Sequence, residues 1–144
     1  MVHSKSIEII YERLLIHYGR LNWWPAQSKL EIMVGAILTQ NTSWKNVEIA
    51  LELLTGSNML SCEKIISSTD EKFADLISPA GLNNVKTKRI KSLVSFVLSA
   101  CNGNVSELQS WNSSLLRKCL MNINGVGPET SDAILLYALN KPFF

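Results

Sequence analysis

One segment of the chain reads Ile123-Asn124-Gly125-Val126-Gly127-Pro128, two glycines around one apolar residue with a proline directly after. Glycine at both positions lets the backbone turn sharply and approach another surface closely. Pro128 suits the first position of a following helix, where its missing N–H costs nothing. The amides of Gly125, Gly127 and the next helical turn then lack intrahelical acceptors, and such a cluster attracts an anion. A phosphodiester fits that chemistry. Val126 would plug the space between the flanking helices and keep the turn rigid. The same residues also suit an ordinary αα-corner, in which the glycines only cap and turn. A short amphipathic stretch (Leu115, Leu116, Cys119, Leu120) before the turn and Glu129-Thr130-Ser131-Asp132-Ala133 after it favour a hairpin of about 115–139.

Other residues with chemical potential are more dispersed. Lys86, Lys88, Arg89 and Lys91 form a basic run with no acid inside it. Against the apolar stripe Ile90, Leu93, Val94 and Val97, Lys88 points away and Arg89 and Lys91 flank. Only Lys86, in the first turn, has a route to a phosphate beside the hairpin; a solvated helix face accounts for the others. The three cysteines, Cys62, Cys101 and Cys119, are widely spaced and form no CxxC pair, which excludes a readable zinc ribbon or dithiol centre. They read as reduced, mostly buried thiols. Trp23 and Trp24 could stack on a base but suit a packed staple before Pro25; Trp44 and Trp111 read as anchors of the core. His3 and His17 have no partner pattern.

The elements that must position these residues are helical. Ile7, Ile10, Tyr11, Leu14 and Tyr18 recur at helical spacing until Gly19. Ser28-Lys29-Leu30-Glu31 is a capping box opening a helix with Leu30, Val34, Ile37 and Leu38 on one face. The polar interruption Thr39-Gln40-Asn41-Thr42-Ser43 separates it from a helix with Trp44, Val47, Leu51 and Leu54 inward, closed by Gly56. Ser68-Thr69-Asp70-Glu71 is a second capping box, and Ser78-Pro79-Ala80-Gly81 ends the short helix it opens. A longer helix spans about Asn84 to Ala100. The last helix follows Pro128, carries Ala133, Ile134, Tyr137 and Ala138, and stops at Asn140. No stretch alternates with period two, so the predicted class is all-α.

Length and charge bound the rest. A chain of 144 residues with 47% hydrophobic content predicts one globular domain, residues 1–144, and excludes disorder. No apolar run reaches the ~20 residues of a membrane span, and the N-terminus lacks a signal-peptide core. The expected location is cytoplasmic, nucleoid-associated in a bacterium. A net charge of +2 permits an anionic partner without requiring one.

Four segments share the order and spacing of one family: Leu21-Asn22-Trp23-Trp24-Pro25, Val34-Gly35-Ala36-Ile37-Leu38-Thr39-Gln40-Asn41-Thr42, Gly81-Leu82-Asn83-Asn84-Val85-Lys86, and the Gly-Val-Gly-Pro-Glu-Thr hairpin. Over roughly residues 20–142 the chain resembles the endonuclease III-like base-excision DNA glycosylases of the helix-hairpin-helix superfamily. The resemblance implies the helical glycosylase domain without its C-terminal segment, and double-stranded DNA, bound sequence-independently by a monomer, as partner. It places Gln40, with Asn41 and Thr42 beside it, where a side chain wedges into the duplex as a damaged nucleotide is extruded. Extrusion costs a few kcal/mol, and filling the hole recovers part of it. It also implies that Gly125, Val126, Gly127 and Thr130 belong to the DNA contact, and that carbonyls of Met121, Ile123 and Val126 could hold a monovalent cation.

The chain departs from that family at two places. Members with lyase activity carry a Lys two residues after the second hairpin glycine; here that residue is Glu129, and a carboxylate cannot form an imine. Gly-Pro-Glu-Thr resembles instead the monofunctional branch that removes alkylated purines. The family's catalytic Asp, which stabilises an oxocarbenium-like sugar, is expected about eighteen residues past Glu129, beyond Phe144. Asp132 is not its equivalent, so no catalytic residue is assigned. The four-Cys loop of a 4Fe-4S cluster, found in many relatives, has no counterpart here, and no cofactor is expected. Three functions follow: base excision through a longer product, a non-enzymatic duplex-binding module, or a helical interaction protein or remnant without a DNA role.

Overall fold

The computed structural model describes residues 2–21 and 23–142, so Asn22 of the Leu21–Pro25 segment and the two terminal phenylalanines lie outside the described residues. Among those described, the fold is all-α: α1 (Val2–Tyr18), α2 (Lys29–Leu38), α3 (Trp44–Gly56), α4 (Cys62–Ser67), α5 (Asp70–Leu76), α6 (Asn83–Cys101), α7 (Ser113–Met121) and α8 (Pro128–Ala133). Short 3-10 turns occupy Ser78–Ala80 and Val105–Ser110, and α8 runs on into a π-helical turn, Ile134–Ala138. No described helix is long and apolar enough to cross a membrane.

Local chemistry explains most helix starts. The Ser28 hydroxyl accepts from the Glu31 amide at 3.1 Å. Glu31 reaches back one residue further than expected and accepts from the Gln27 amide at 2.8 Å. At the second box the cap shifts by one: Thr69 accepts from the Lys72 amide at 3.2 Å, while Ser68 belongs to the end of α4. That helix is too short for its period to show in sequence.

The core is built around α2, whose Met33, Val34, Ile37 and Leu38 are fully buried. A helix apolar on nearly every side must be covered all round, and α3, α6, α8 and the π turn cover it. The α6 stripe Ile90, Leu93, Val94 and Val97 is fully buried. Gly35 lets the Trp24 ring lie across α2: a Cβ there would meet the indole at 3.0 Å. The tryptophan pair therefore splits. Trp24 packs edge-on to Trp44 with ring centroids 5.4 Å apart, whereas Trp23 is exposed. Helix α1 is different again, because its stripe of Ile10, Leu14 and Tyr18 is exposed and, among its described side chains, only Leu15 is half-buried.

Candidate nucleic-acid interface

Helices α7 and α8 form the predicted hairpin. Asn112 caps α7 by accepting from the Leu115 amide at 3.0 Å. Arg117 then grips Asp132 with two bonds, Nε to Oδ1 at 2.6 Å and Nη2 to Oδ2 at 3.1 Å, tying the two helices together. The hydrogen bond to Asp132 is also what raises the Arg117 pKa. Between the helices, Val126 is buried in the core cluster and donates its amide to the Ile123 carbonyl at 3.0 Å.

The two glycines of the turn do different work. Gly125 has φ +85°, and a Cβ there would collide with the stem of Arg89. Gly127 has φ −87° and ψ −178°, extended backbone that any residue adopts, and a Cβ there would meet nothing within 4 Å. Nothing in the fold requires glycine at 127. The space around it is open. Among the described residues, the Gly125 and Gly127 amides have no protein acceptor.

The turn after α2 meets this hairpin through one side chain. The Gln40 Nε2 donates to the Gly125 carbonyl at 2.9 Å and to Thr130 Oγ1 at 3.0 Å. Its Oε1 accepts from Arg89 Nη1 at 2.6 Å. Thus both amide hydrogens and the oxygen are engaged. Asn41, next to it, is exposed at φ +52°. Thr42 accepts from Asn46 Nδ2 at 3.1 Å and so supports the start of α3.

Lys86 requires a correction. Expected to reach a phosphate beside the hairpin, it is instead fully buried, and its Nζ donates to the carbonyls of Leu38 at 2.8 Å and Ala80 at 2.7 Å. These oxygens lie at the ends of α2 and the Ser78–Ala80 turn, where a cation satisfies orphaned acceptors. Burial, and then the charge of Arg89, lower its pKa. The residue that does reach the hairpin is Arg89. A readable signal existed: Lys86 stands four residues before Ile90, in line with the buried stripe. Lys91 is also occupied, binding Asp70 and the Ser68 carbonyl, each at 2.6 Å.

Beside Gln40 lies a pocket of about 320 Å³ lined by Trp24, Ala36, Thr39, Gln40, Asn41, Glu129, Thr130, Ala133 and Tyr137. Its aromatic wall is Trp24 and Tyr137, with centroids 5.4 Å apart. Glu129 is its acidic member, and Asp132 is committed to Arg117. At the turn, the Ile123 carbonyl already accepts one bond, whereas those of Met121 and Val126 accept none from described backbone amides. Cys62 and Cys101 are buried free thiols, each with its pKa raised chiefly by burial, and Cys119 is partly buried and free. No group of three or more His, Cys, Asp or Glu that could hold a metal exists among the described residues.

An all-helical body carrying a helix-hairpin-helix beside a small aromatic pocket defines the class of helical DNA-repair domains. Residues 34–142 match the model of the HhH-GPD superfamily of base excision DNA repair proteins, and the chain belongs to that family. It is 47% identical over 137 residues to a Methanocaldococcus jannaschii protein whose name assigns it provisionally to the DNA repair glycosylases; the match covers 94% of this chain and 62% of that protein. It resembles the crystal structure of Helicobacter pylori 3-methyladenine DNA glycosylase bound to 1,N6-ethenoadenine, with TM-score 0.79 and 29% identity, covering 95% of this chain and 65% of that one. A thermostable thymine-DNA glycosylase shares the fold, with TM-score 0.71 at 20% identity over 98% of this chain and 63% of that one. The chain therefore spans a little under two thirds of the length of these relatives.

Proposed function

We propose that this chain, as a monomer, grips duplex DNA without reading its sequence and receives an extruded alkylated purine in the pocket beside Gln40. The observation that carries the reading is Gly127: its position is exposed and needs no glycine for folding, and its amide, like that of Gly125, has no protein acceptor among the described residues. A phosphate oxygen can approach such a bare turn and accept from both N–H groups. Gln40, with Asn41 beside it, lines the pocket, and on binding it exchanges its bonds to the Gly125 carbonyl and Thr130 for the hole left by the base. The aromatic faces of Trp24 and Tyr137 and the carboxylate of Glu129 favour a base carrying positive charge, as purine nucleotides alkylated at N3 or N7 do.

An imine route is closed by Glu129. Cutting the glycosidic bond needs an anion against a cationic sugar, and Asp132 is not available for it. Grip and base capture are accordingly the roles proposed for these residues. The carbonyls of Met121, Ile123 and Val126 are proposed to hold a monovalent cation at the turn; each has at least one lone pair left. Replacing potassium by a bulky ammonium ion at constant ionic strength should then weaken duplex binding, and equal binding in both would remove the cation.

The test is a titration of fluorescent duplexes, plain and carrying a cationic N7-methylated purine, at low salt, with free base measured in parallel. Duplex affinity indifferent to sequence, higher with the lesion and abolished by Gly127→Asp, is expected. Binding without base release favours the non-enzymatic module. No affinity at low salt, or unchanged affinity in Gly127→Asp, defeats the proposal.

A further inference from the structure

Arg89 lies at the meeting point of the two parts that the proposed reading needs, the hairpin and Gln40. Its aliphatic stem covers Gly125 so closely that a Cβ there has no room. Its Nη1 donates to the Gln40 oxygen at 2.6 Å, and the Gln40 amide nitrogen then donates to the Gly125 carbonyl and Thr130. Among the described residues, no carboxylate lies within ion-pair distance of this guanidinium. The neighbouring Lys86 ammonium is satisfied by carbonyls, not by an acid. Arg89 therefore brings a positive charge to the turn with no carboxylate beside it, and, half-buried, it has access to solvent.

We infer that Arg89 binds a second duplex phosphate, adjacent to the one on the hairpin amides, and through Nη1 holds Gln40 in register with it. A guanidinium has five donors in a rigid fork, so one edge can serve Gln40 while another serves a phosphate. Backbone grip and strand insertion then act as one unit. Arg89 is a binding residue toward the phosphate and a positioning residue toward Gln40. The inference rests on the duplex-binding reading above and adds to it a residue and a coupling.

Two substitutions separate the two roles. Arg89→Met keeps the stem over Gly125 and removes the charge. Arg89→Lys keeps the charge but presents no planar fork. The readouts are the salt dependence of duplex binding and the fluorescence of 2-aminopurine placed next to an abasic-site analogue, which rises when the base unstacks. Arg89→Met should lower the log–log salt slope by roughly 0.9, one phosphate contact, and abolish the fluorescence rise. Arg89→Lys should restore the slope and not the rise. Lys88→Met, which removes an exposed charge from the same helix, should leave the slope as in the wild type. Thermal melting of each variant separates these effects from misfolding, with Arg89→Lys carrying the test if Arg89→Met melts early. A wild-type slope in Arg89→Met, or a full rise in Arg89→Lys, overturns the inference while leaving duplex binding intact. Absence of duplex binding by the wild type overturns the underlying reading instead.

Discussion

The junction of α2, α6 and the hairpin and the face of α1 represent opposite ways of using helical surface. At the junction, polar groups from four separate segments meet and find partners: Gln40, Arg89, Gly125, Thr130 and, beneath them, Lys86 on the carbonyls of Leu38 and Ala80. Along α1, a stripe of the same helical period leaves Ile10, Leu14 and Tyr18 more than half exposed. Periodicity creates a face; only a matching surface makes that face contribute to stability. The junction should respond strongly to single substitutions and α1 hardly at all.

The largest effect is expected at Lys86. Lys86→Met preserves most of the volume but strips two buried carbonyls of their donor, and should cost about 2–4 kcal/mol by urea unfolding. A second signature is pH. The folded-state pKa of Lys86 lies below 10.5, so between that lowered value and 10.5 the unfolded chain binds more protons. Its contribution to stability therefore rises with pH across that interval. The raised thiols of Cys62 and Cys101 act in the opposite direction above pH 9.0, because the unfolded thiols release their protons first. The difference between wild type and Lys86→Met isolates the lysine, since both proteins carry the thiols. A difference that is flat with pH would mean that the ammonium is not desolvated.

The two hairpin glycines sharpen the contrast at a smaller scale. Gly125→Ala forces a side chain into positive φ and against Arg89, and should cost about 2 kcal/mol. It should also loosen Gln40, whose partner is the Gly125 carbonyl. Gly127→Ala, on ordinary extended backbone with open space around it, should change stability by less than about 0.5 kcal/mol. Its duplex affinity should nevertheless fall by roughly tenfold or more, because a methyl group then stands where a phosphate approaches. Equal stability losses in the two variants would show that the turn is held by something other than the conformation described.

Much of this arrangement is legible in the sequence itself. The Ser28 cap, the break after Leu38, Pro128 opening α8 and Val126 plugging the hairpin are local signals, set by residues within a few positions of each other. Lys86 and Arg89 are misread for one reason: what decides their fates comes from far along the chain. The carbonyls of Leu38 and Ala80 draw Lys86 inward, and Gln40 and Gly125 draw Arg89 to the hairpin. The Gln40 network is illegible for the same cause, since Thr130 lies ninety positions away. The exposure of α1 is a related matter of locality: helical spacing shows that a face exists, but no sequence pattern states whether any surface covers it.

The smallest effect is expected on α1, and it is the one that most directly tests the comparison. Leu14 is 52% exposed, and Leu and Glu have similar helix propensities, so Leu14→Glu should move stability by less than about 0.5 kcal/mol. The same change interrupts the apolar stripe between Ile10 and Tyr18, so binding of the dye ANS, which reports exposed hydrophobic surface, should fall. The substitution at Leu15, one position along and half-buried, provides the internal standard: Leu15→Glu places a carboxylate against the body and should cost distinctly more. If Leu14→Glu instead destabilises as much as Leu15→Glu, the stripe is docked in solution and the two regions do not differ in kind. If Leu14→Glu is silent in unfolding and visible in ANS binding, the apolar face of α1 adds nothing to the fold of this chain, in contrast to the bonded side chains of the hairpin junction.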